Sequence, residues 1–497
     1  MHTVVASVFA MVIATAGAQA QGKIVIAENF APKAGFALET DDAHVLTRSG
    51  CLEAMARVDF DGSLKPALAA SWTQSSPTTW EFTLRQGAKF HDGQPVNAES
   101  VAAVLTATLT AKTPSRGFSP RVVKSVEAAG ANMVRVTTPS PSVLVPFIMA
   151  SPNTGILAPS AFKDGKVNPV GTCTGPFVIT AVDGQQGLKV KRNDVWWGGK
   201  VTLAEAEIKF LPDANVRATQ VRTGESHIGR SVPASTLATL KRGPGTSVVS
   251  IDTPRTSQLL INTKKAPFDN PKVRQAMQAA LDLKGIAASL YEGSVEPAIG
   301  PFAPHEPWAP KGVQPAAFDV AKAKSLLAEA GVQPGSLTIE LLAYSEKIEF
   351  KDLAAIIQEQ LKAIGITVNI RLAAYNALEP DMLAGKYDVA LLSRSHLTDV
   401  ADPLAFLTSD YTCKGGYNLS HFCDAAMDEA LSKATNEADA AKRHLIYAAA
   451  AKTLQEQAVN VFIIHERGND AVSSKVKGYA LHPLYHYTLT AGLDVTP

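Results

Sequence analysis

Apolar positions along the chain follow two different spacings. Trp80-Glu81-Phe82-Thr83-Leu84 alternates with a period of two, which predicts a half-buried strand. Further on the spacing becomes helical. Asn97 is a cap residue, and the helix it opens is expected to run through Thr110. Asn270 followed by Pro271 places a cap before a proline at the first helical position. Val273, Ala276, Met277, Ala280 and Leu281 then share one helical face. Asp319 caps a helix expected to end at Ala330, with Gly331 as its stop. Asp352 is expected to open another, with Leu353, Ile356, Ile357, Leu361 and Ile364 as its stripe and Gly365 as its stop. Ile366–Leu372 alternates as a strand, and Glu437–Gln457 reads as a long alanine-rich helix. Helices and strands interleaved this densely predict α/β layers.

Composition narrows the class. At about 150 residues per domain, 497 residues suggest two to four domains. Lys and Arg number 47 against 46 Asp and Glu, a net charge of +1, which argues against a nucleic-acid partner or a polybasic membrane contact. The body of the chain has no apolar run of the roughly 18 residues a membrane span needs. The first residues are different. Val4 to Ala18 is apolar or small and ends in Ala18-Gln19-Ala20, a small-x-small pattern. Residues 1–20 are therefore expected to be a signal peptide, and the mature protein to be soluble and periplasmic.

Four cysteines lie beyond that segment and allow three disulfide connectivities. An oxidising compartment would pair them. Cys413 and Cys423 close a short loop containing Gly415 and Gly416, a plausible bridge, which leaves Cys51 for Cys173. No Cys-x-x-Cys is present, so no metal is expected at the cysteines.

Catalytic signatures are missing: there is no G-x-S-x-G, no phosphate-binding glycine loop, no H-E-x-x-H and no dinucleotide fingerprint. A binding protein without enzyme activity or cofactor is expected. An exported hydrolase stays open as an alternative, because catalytic triads assemble across a fold.

Several blocks together resemble the periplasmic solute-binding proteins of the peptide/nickel (dipeptide and oligopeptide) ABC importer family. Leu64-Lys65-Pro66-Ala67-Leu68-Ala69-Ala70-Ser71-Trp72 and Phe82-Thr83-Leu84-Arg85-Gln86-Gly87-Ala88-Lys89-Phe90-His91-Asp92-Gly93 are similar to the family's P-x-L-A-x-S-W and F-x-L-R-x-G-x-x-F-H-D-G signatures. Gly171–Phe177 resembles its G-T-G-P-F turn with one residue inserted, and Arg192–Gly199, Pro267–Ala276 and Ala323–Gly331 follow in family order. The resemblance implies a type II periplasmic-binding clamp, two α/β lobes plus an extra lobe. By analogy residues 21–47, 171–254 and 473–497 form the first domain, 48–170 the extra one and 255–472 the third. It further implies a monomer that delivers a small peptide or amino compound to permease subunits in the inner membrane.

Ser393–Pro403 resembles the family's W-x-x-D-x-x-D-P loop. In peptide-binding members its first acid anchors the ligand's α-ammonium, and Asp399 holds that position. A carboxylate in a closed cleft suits a cation, because the charge-assisted bond offsets the burial of both. Asp402 with Pro403 reads as a structural turn start. His396 replaces the family aromatic; it can stack on a ligand or be an ordinary histidine. Where dipeptide binders place an arginine for the ligand carboxylate, this chain has Tyr344-Ser345-Glu346-Lys347, so Lys347 is the candidate, without the planar fork of arginine. The arginine of nickel-chelate binders is absent before Leu157-Ala158-Pro159-Ser160, and Arg394 is the residue that can compensate. Trp308, Tyr375, Tyr411 and Tyr417 are candidate cleft aromatics. His482 and His486 lie four apart, but Pro483 argues against a helix that would align them. Peptide and metal chelate remain the competing ligands.

Overall fold

The computed structural model describes residues 22–163 and 166–496. The expected signal peptide lies outside the described residues. Among those described, no helix is long and apolar enough to cross a membrane.

One mixed sheet of eleven strands organises the molecule. Its order is Phe177–Asp183, Gly187–Arg192, Glu205–Phe210, Lys23–Glu28, Ile228–Gly229, Asn460–Ser473, Thr246–Ile261, Val389–Ser395, Leu337–Tyr344 and Ile366–Ala373, with Glu296–Pro297 added against Asn460–Ser473. The strands Thr246–Ile261 and Asn460–Ser473 run antiparallel to each other and belong to both halves. Thr246–Asp252 pairs with Arg467–Ser473 on one side, and Thr256–Leu260 with Asn460–His465 on the other. Between them the register breaks at Asp252/Thr256. Pro254 sits in that gap and has no N–H to give to a ladder, which is a physical reason for the break.

Each half has its own core. Ile24, Ile26, Leu46, Phe177, Ile179, Leu188 and Ile208 fill the first. Leu259, Val273, Met277, Leu341, Leu353, Ile357 and Ile366 fill the second. A separate four-stranded sheet, Ala69–Ser76, Thr79–Leu84, Met133–Thr137 and Ser125–Ala128, packs on the helix Ala98–Leu109. Its core residues Phe82, Val101, Leu105 and Val134 are continuous with Val400, Leu404, Leu407, Leu431 and Tyr447 of the second half.

The caps behave as the sequence suggests. Asn97 accepts from Ser100 N at 2.9 Å, Asn270 from Lys272 N at 3.0 Å and Asp319 from Lys322 N at 2.8 Å. Two helix starts differ. The helix expected from Asp352 spans Glu349–Lys362, so Asp352 lies in its first turn. There a negative side chain faces the positive end of the helix without capping it. The helix expected from Glu437 spans Ala440–Glu456, because Asp439 is the cap, accepting from Ala441 N at 2.9 Å. Both expected disulfides are present, Cys51–Cys173 with Cα atoms 5.4 Å apart and Cys413–Cys423 at 4.4 Å.

Candidate ligand cleft

The loop after the strand Val389–Ser395 carries Asp399. The loop is tied at its start by His396 N donating to Pro254 O at 3.1 Å, beside the register break. It ends where Asp402 caps the helix Pro403–Tyr411 through Leu404 N at 2.9 Å, with Pro403 at the first helical position. Asp402 also accepts from Tyr447 Oη at 2.8 Å, so its role is structural as expected from the sequence.

Asp399 lies where three parts of the chain meet. Its Oδ2 receives Arg394 Nη2 at 3.0 Å and lies 3.6 Å from Arg116 Nε, which follows the helix Ala98–Leu109. A Cβ at Gly117 would collide with the Asp399 carbonyl, so glycine permits this close approach. Arg394 also grips Asp410, with Nε to Oδ2 at 2.7 Å and Nη2 to Oδ1 at 2.9 Å, a two-bond fork. Tyr417 lies under both guanidinium groups, its ring centre 4.2 Å from Arg116 and 5.1 Å from Arg394. The Tyr417 hydroxyl donates to Glu379 at 2.9 Å and meets that of Tyr375. Burial would raise the Asp399 carboxyl, but Arg394 and Arg116 outweigh it and hold it below the usual range. For Asp410 burial wins, and its carboxyl is pushed up despite Arg394.

A second charged pair joins the loop after the strand Leu337–Tyr344 to the shared strand Asn460–Ser473. Lys347 Nζ lies 2.7 Å from Glu466 Oε2, and Ser257 donates to Glu466 Oε1 at 2.6 Å. Burial opposes ionisation of Glu466, but Lys347 and Arg255 bring it down to about 2. Burial likewise opposes the Lys347 charge, and Glu466 overcomes it and raises the ammonium above its ordinary range. In the first half, Arg230 is held between Glu28 at 3.2 Å and Asp470 at 2.9 Å, with Tyr485 stacked on it at 5.4 Å. Arg48 shares Glu28 at 4.0 Å and donates to Tyr485 O at 2.9 Å.

His396 and Trp308 come together, but inside an aromatic cluster. Their ring centres are 6.3 Å apart, Phe302 lies 4.9 Å from His396, and Phe406 joins this cluster to Arg394. His396 Nε2 pairs with Glu306 Oε1 at 2.6 Å, and the imidazole is 3% exposed. The carboxylate neighbour, 90 residues away in sequence, has no local signal. His482 and His486 are not on a helix, yet their rings stack at 5.3 Å because the turn folds His486 N towards His482 Nδ1 at 3.4 Å. His44 lies edge-on to His486 at 5.7 Å. Both ring nitrogens of His44 and of His486 are buried without a hydrogen-bond partner. Burial, the largest cause, together with Arg48 brings His44 down to about 4, against the opposing charges of Asp41 and Asp399.

The structure thus gathers Asp399, Arg394 and Tyr417 in one cluster, joins His396 and Trp308 to it through Phe406, and sets Lys347 apart with Glu466. Arg116, Arg255, Tyr485 and Glu466 escaped the sequence reading. Each acts through partners far away in the chain; Arg255 and Glu466 are placed by the sheet, Arg116 and Tyr485 by loops.

The model of the family "Bacterial extracellular solute-binding proteins, family 5 Middle" matches residues 63–418, more than half of the chain. The chain is similar to di/tripeptide-binding protein 2 of Pseudomonas aeruginosa, 29% identical over 84% of each chain. It is as similar to the nickel-binding periplasmic protein of Escherichia coli, 29% identical over 84% of this chain and 83% of the other. Among solved structures, AgaA of A. tumefaciens R10 in complex with agropinic acid superposes with a TM-score of 0.82, is 26% identical, and is matched over 96% of this chain and 99% of its own. The architecture is that of an α/β periplasmic-binding clamp. The protein belongs to family 5 of the bacterial extracellular solute-binding proteins.

Proposed function

We propose that the chain is the exported, substrate-binding component of an ABC importer, which captures short peptides or peptide-like amino compounds between its two α/β lobes and hands them to a membrane permease. It acts as a monomer and releases its ligand chemically unchanged. Residues 21–47, 171–254 and 473–497 make the first lobe, 255–472 the opposing one and 48–170 the extra lobe. The register break at Asp252/Thr256 supports a hinge there.

The observation that carries the reading is the Asp399 carboxylate. Arg394 and Arg116 hold it below the usual carboxylate range, they reach it from separate parts of the chain, and both of their contacts fall on its Oδ2. Oδ1 is the oxygen that takes a ligand ammonium in this reading. Relatives named for di- and tripeptides support it.

One observation favours a second reading, a metal chelate as ligand: His44 and His486 have unpartnered ring nitrogens, and a relative is named for nickel. Mass spectrometry of what the denatured protein releases separates the two. A peptide or primary amine supports the first reading, a metal-bearing chelate the second. Incubation with a peptide mixture tests the absence of turnover: a binder leaves every peptide intact.

A further inference from the structure

The Cys51–Cys173 bridge has a third member. Among the described residues, Cys51, His91 and Cys173 each offer one donor atom, and these atoms lie within 4.8 Å of one another. Both cysteines are fully buried. His91 Nε2 bonds the Gly175 carbonyl at 2.9 Å, and His91 N donates to Cys173 O at 2.7 Å. A carbonyl can only accept, so Nε2 carries the proton and Nδ1 is left with a bare lone pair. That Nδ1 is buried and has no hydrogen-bond partner.

We propose that the dithiol form of this protein is a site for a thiophilic divalent cation such as Zn²⁺, bound by the Cys51 and Cys173 sulfurs and His91 Nδ1 with water in the fourth position. Zinc bonds of about 2.3 Å to sulfur and about 2.0–2.1 Å to nitrogen put tetrahedral donors roughly 3.5–3.8 Å apart; the three donor atoms already lie within 4.8 Å of one another, and the two sulfurs move apart to that spacing once the bridge is reduced. The Gly175 carbonyl then does what outer-shell carbonyls do for metal-bound histidines, fixing ring orientation and tautomer. At the other bridge His421 Nε2 also meets a carbonyl, that of Met382, but among the described residues no His421 ring nitrogen is buried without a partner and no donor group forms there.

The chemistry balances as an exchange. A dithiol reductant gives two electrons and two protons to the bridge and is itself oxidised to a disulfide. The two thiols then lose both protons as two sulfur–metal bonds form. A disulfide oxidant reverses this: it takes two electrons from the thiolates and two protons from water to become a dithiol, the sulfur–sulfur bond re-forms, and the cation leaves. Metal and disulfide are alternative fasteners of one joint. The joint ties the residues after the helix Asp42–Arg48 to the turn before the strand Phe177–Asp183, 122 residues on in the chain.

The test uses the full mature chain with Cys413→Ser and Cys423→Ser, prepared anaerobically with two thiols titrated per chain and native near-ultraviolet circular dichroism. Co²⁺ is the probe. The expected result is one Co²⁺ per chain, with sulfur-to-cobalt charge transfer, tetrahedral visible bands and displacement by Zn²⁺. The oxidised protein should take up none. His91→Ala should weaken binding by more than the roughly 10- to 100-fold that loss of an outer-shell partner costs. His91→Gln, which keeps a side chain of similar reach, checks that any loss is not misfolding. A folded dithiol form that takes up no Co²⁺ overturns the proposal. So does uptake without sulfur charge transfer, or equal affinity in both His91 variants and the parent.

Discussion

Arg394 Nη2 lies 3.0 Å from Asp399 Oδ2 while the same guanidinium holds Asp410 by two bonds. One buried arginine therefore links the proposed ligand anchor to the helix Pro403–Tyr411 behind it. Asp410 pairs with Arg394, and Arg394 with Arg116 holds the Asp399 carboxyl below its usual range.

Removing the anchor should weaken binding. Asp399→Ala leaves a ligand ammonium buried without its partner, which costs about 2–5 kcal/mol. That is roughly 30- to several-thousand-fold in dissociation constant. Asp399→Asn should fall between, since the amide oxygen still accepts a bond without charge. Calorimetry with the ligand recovered from the protein measures this; binding within threefold of wild type for Asp399→Ala means that the anchor is elsewhere.

Arg394→Ala should act on stability. It strands Asp410 in the core, and breaking a buried pair from one side costs about 3–5 kcal/mol. Replacing both members, Arg394→Met with Asp410→Leu, should recover most of the loss. Urea midpoints of the ligand-free variants decide it, and equal midpoints for the single and double variants would contradict the pairing.

Lys347→Ala should lower the unfolding midpoint more than it weakens the ligand, because its ammonium is committed to Glu466 at 2.7 Å. The same pair sets an acid limit. Glu466 ionises near 4.5 when unfolded and at about 2 when folded. Its stabilisation is complete above about 4.5 and is lost as pH falls through about 2. Glu466→Gln should flatten stability against pH in that window; an unchanged slope would show that Glu466 is not the group responsible.

Glu53 predicts the opposite slope. Its oxygens accept Trp196 Nε1 at 3.2 Å and Trp197 Nε1 at 2.9 Å, yet burial outweighs these bonds and raises its carboxyl from 4.5 to about 7. Between those values the folded chain binds more protons than the unfolded one, so Glu53 makes stability fall as pH rises from about 4.5 to about 7. Glu53→Gln should remove that fall in denaturation midpoints, and a fall of the same size in the variant would assign it to another group.

What the sequence revealed of this molecule was local or borrowed from resemblance. Asn97, Asn270 and Asp319 were legible as caps because a cap acts within three residues of itself. The helix starts near Asp352 and Glu437 differ from expectation: the first helix begins after Ile348 with no side-chain cap, and the second takes Asp439 as its cap rather than Glu437. Cys413–Cys423 was legible through its short loop, and Asp399 is singled out by its loop motif alone. Arg116 was not, since its partner Asp399 stands far along the chain. Nor was the engagement of Lys347 by Glu466, 119 residues away. His396 replaces an aromatic in its motif and does lie among aromatics, but Glu306 occupies its Nε2.

The central claim is that two lobes close on a ligand about the break between Asp252 and Thr256. Small-angle X-ray scattering tests it most directly, on protein stripped of its ligand by denaturation and refolding and then saturated with the recovered ligand. The account predicts a smaller radius of gyration on saturation, as the lobes come together around Asp399. An unchanged radius at saturation, with binding confirmed by calorimetry on the same sample, would contradict the clamp.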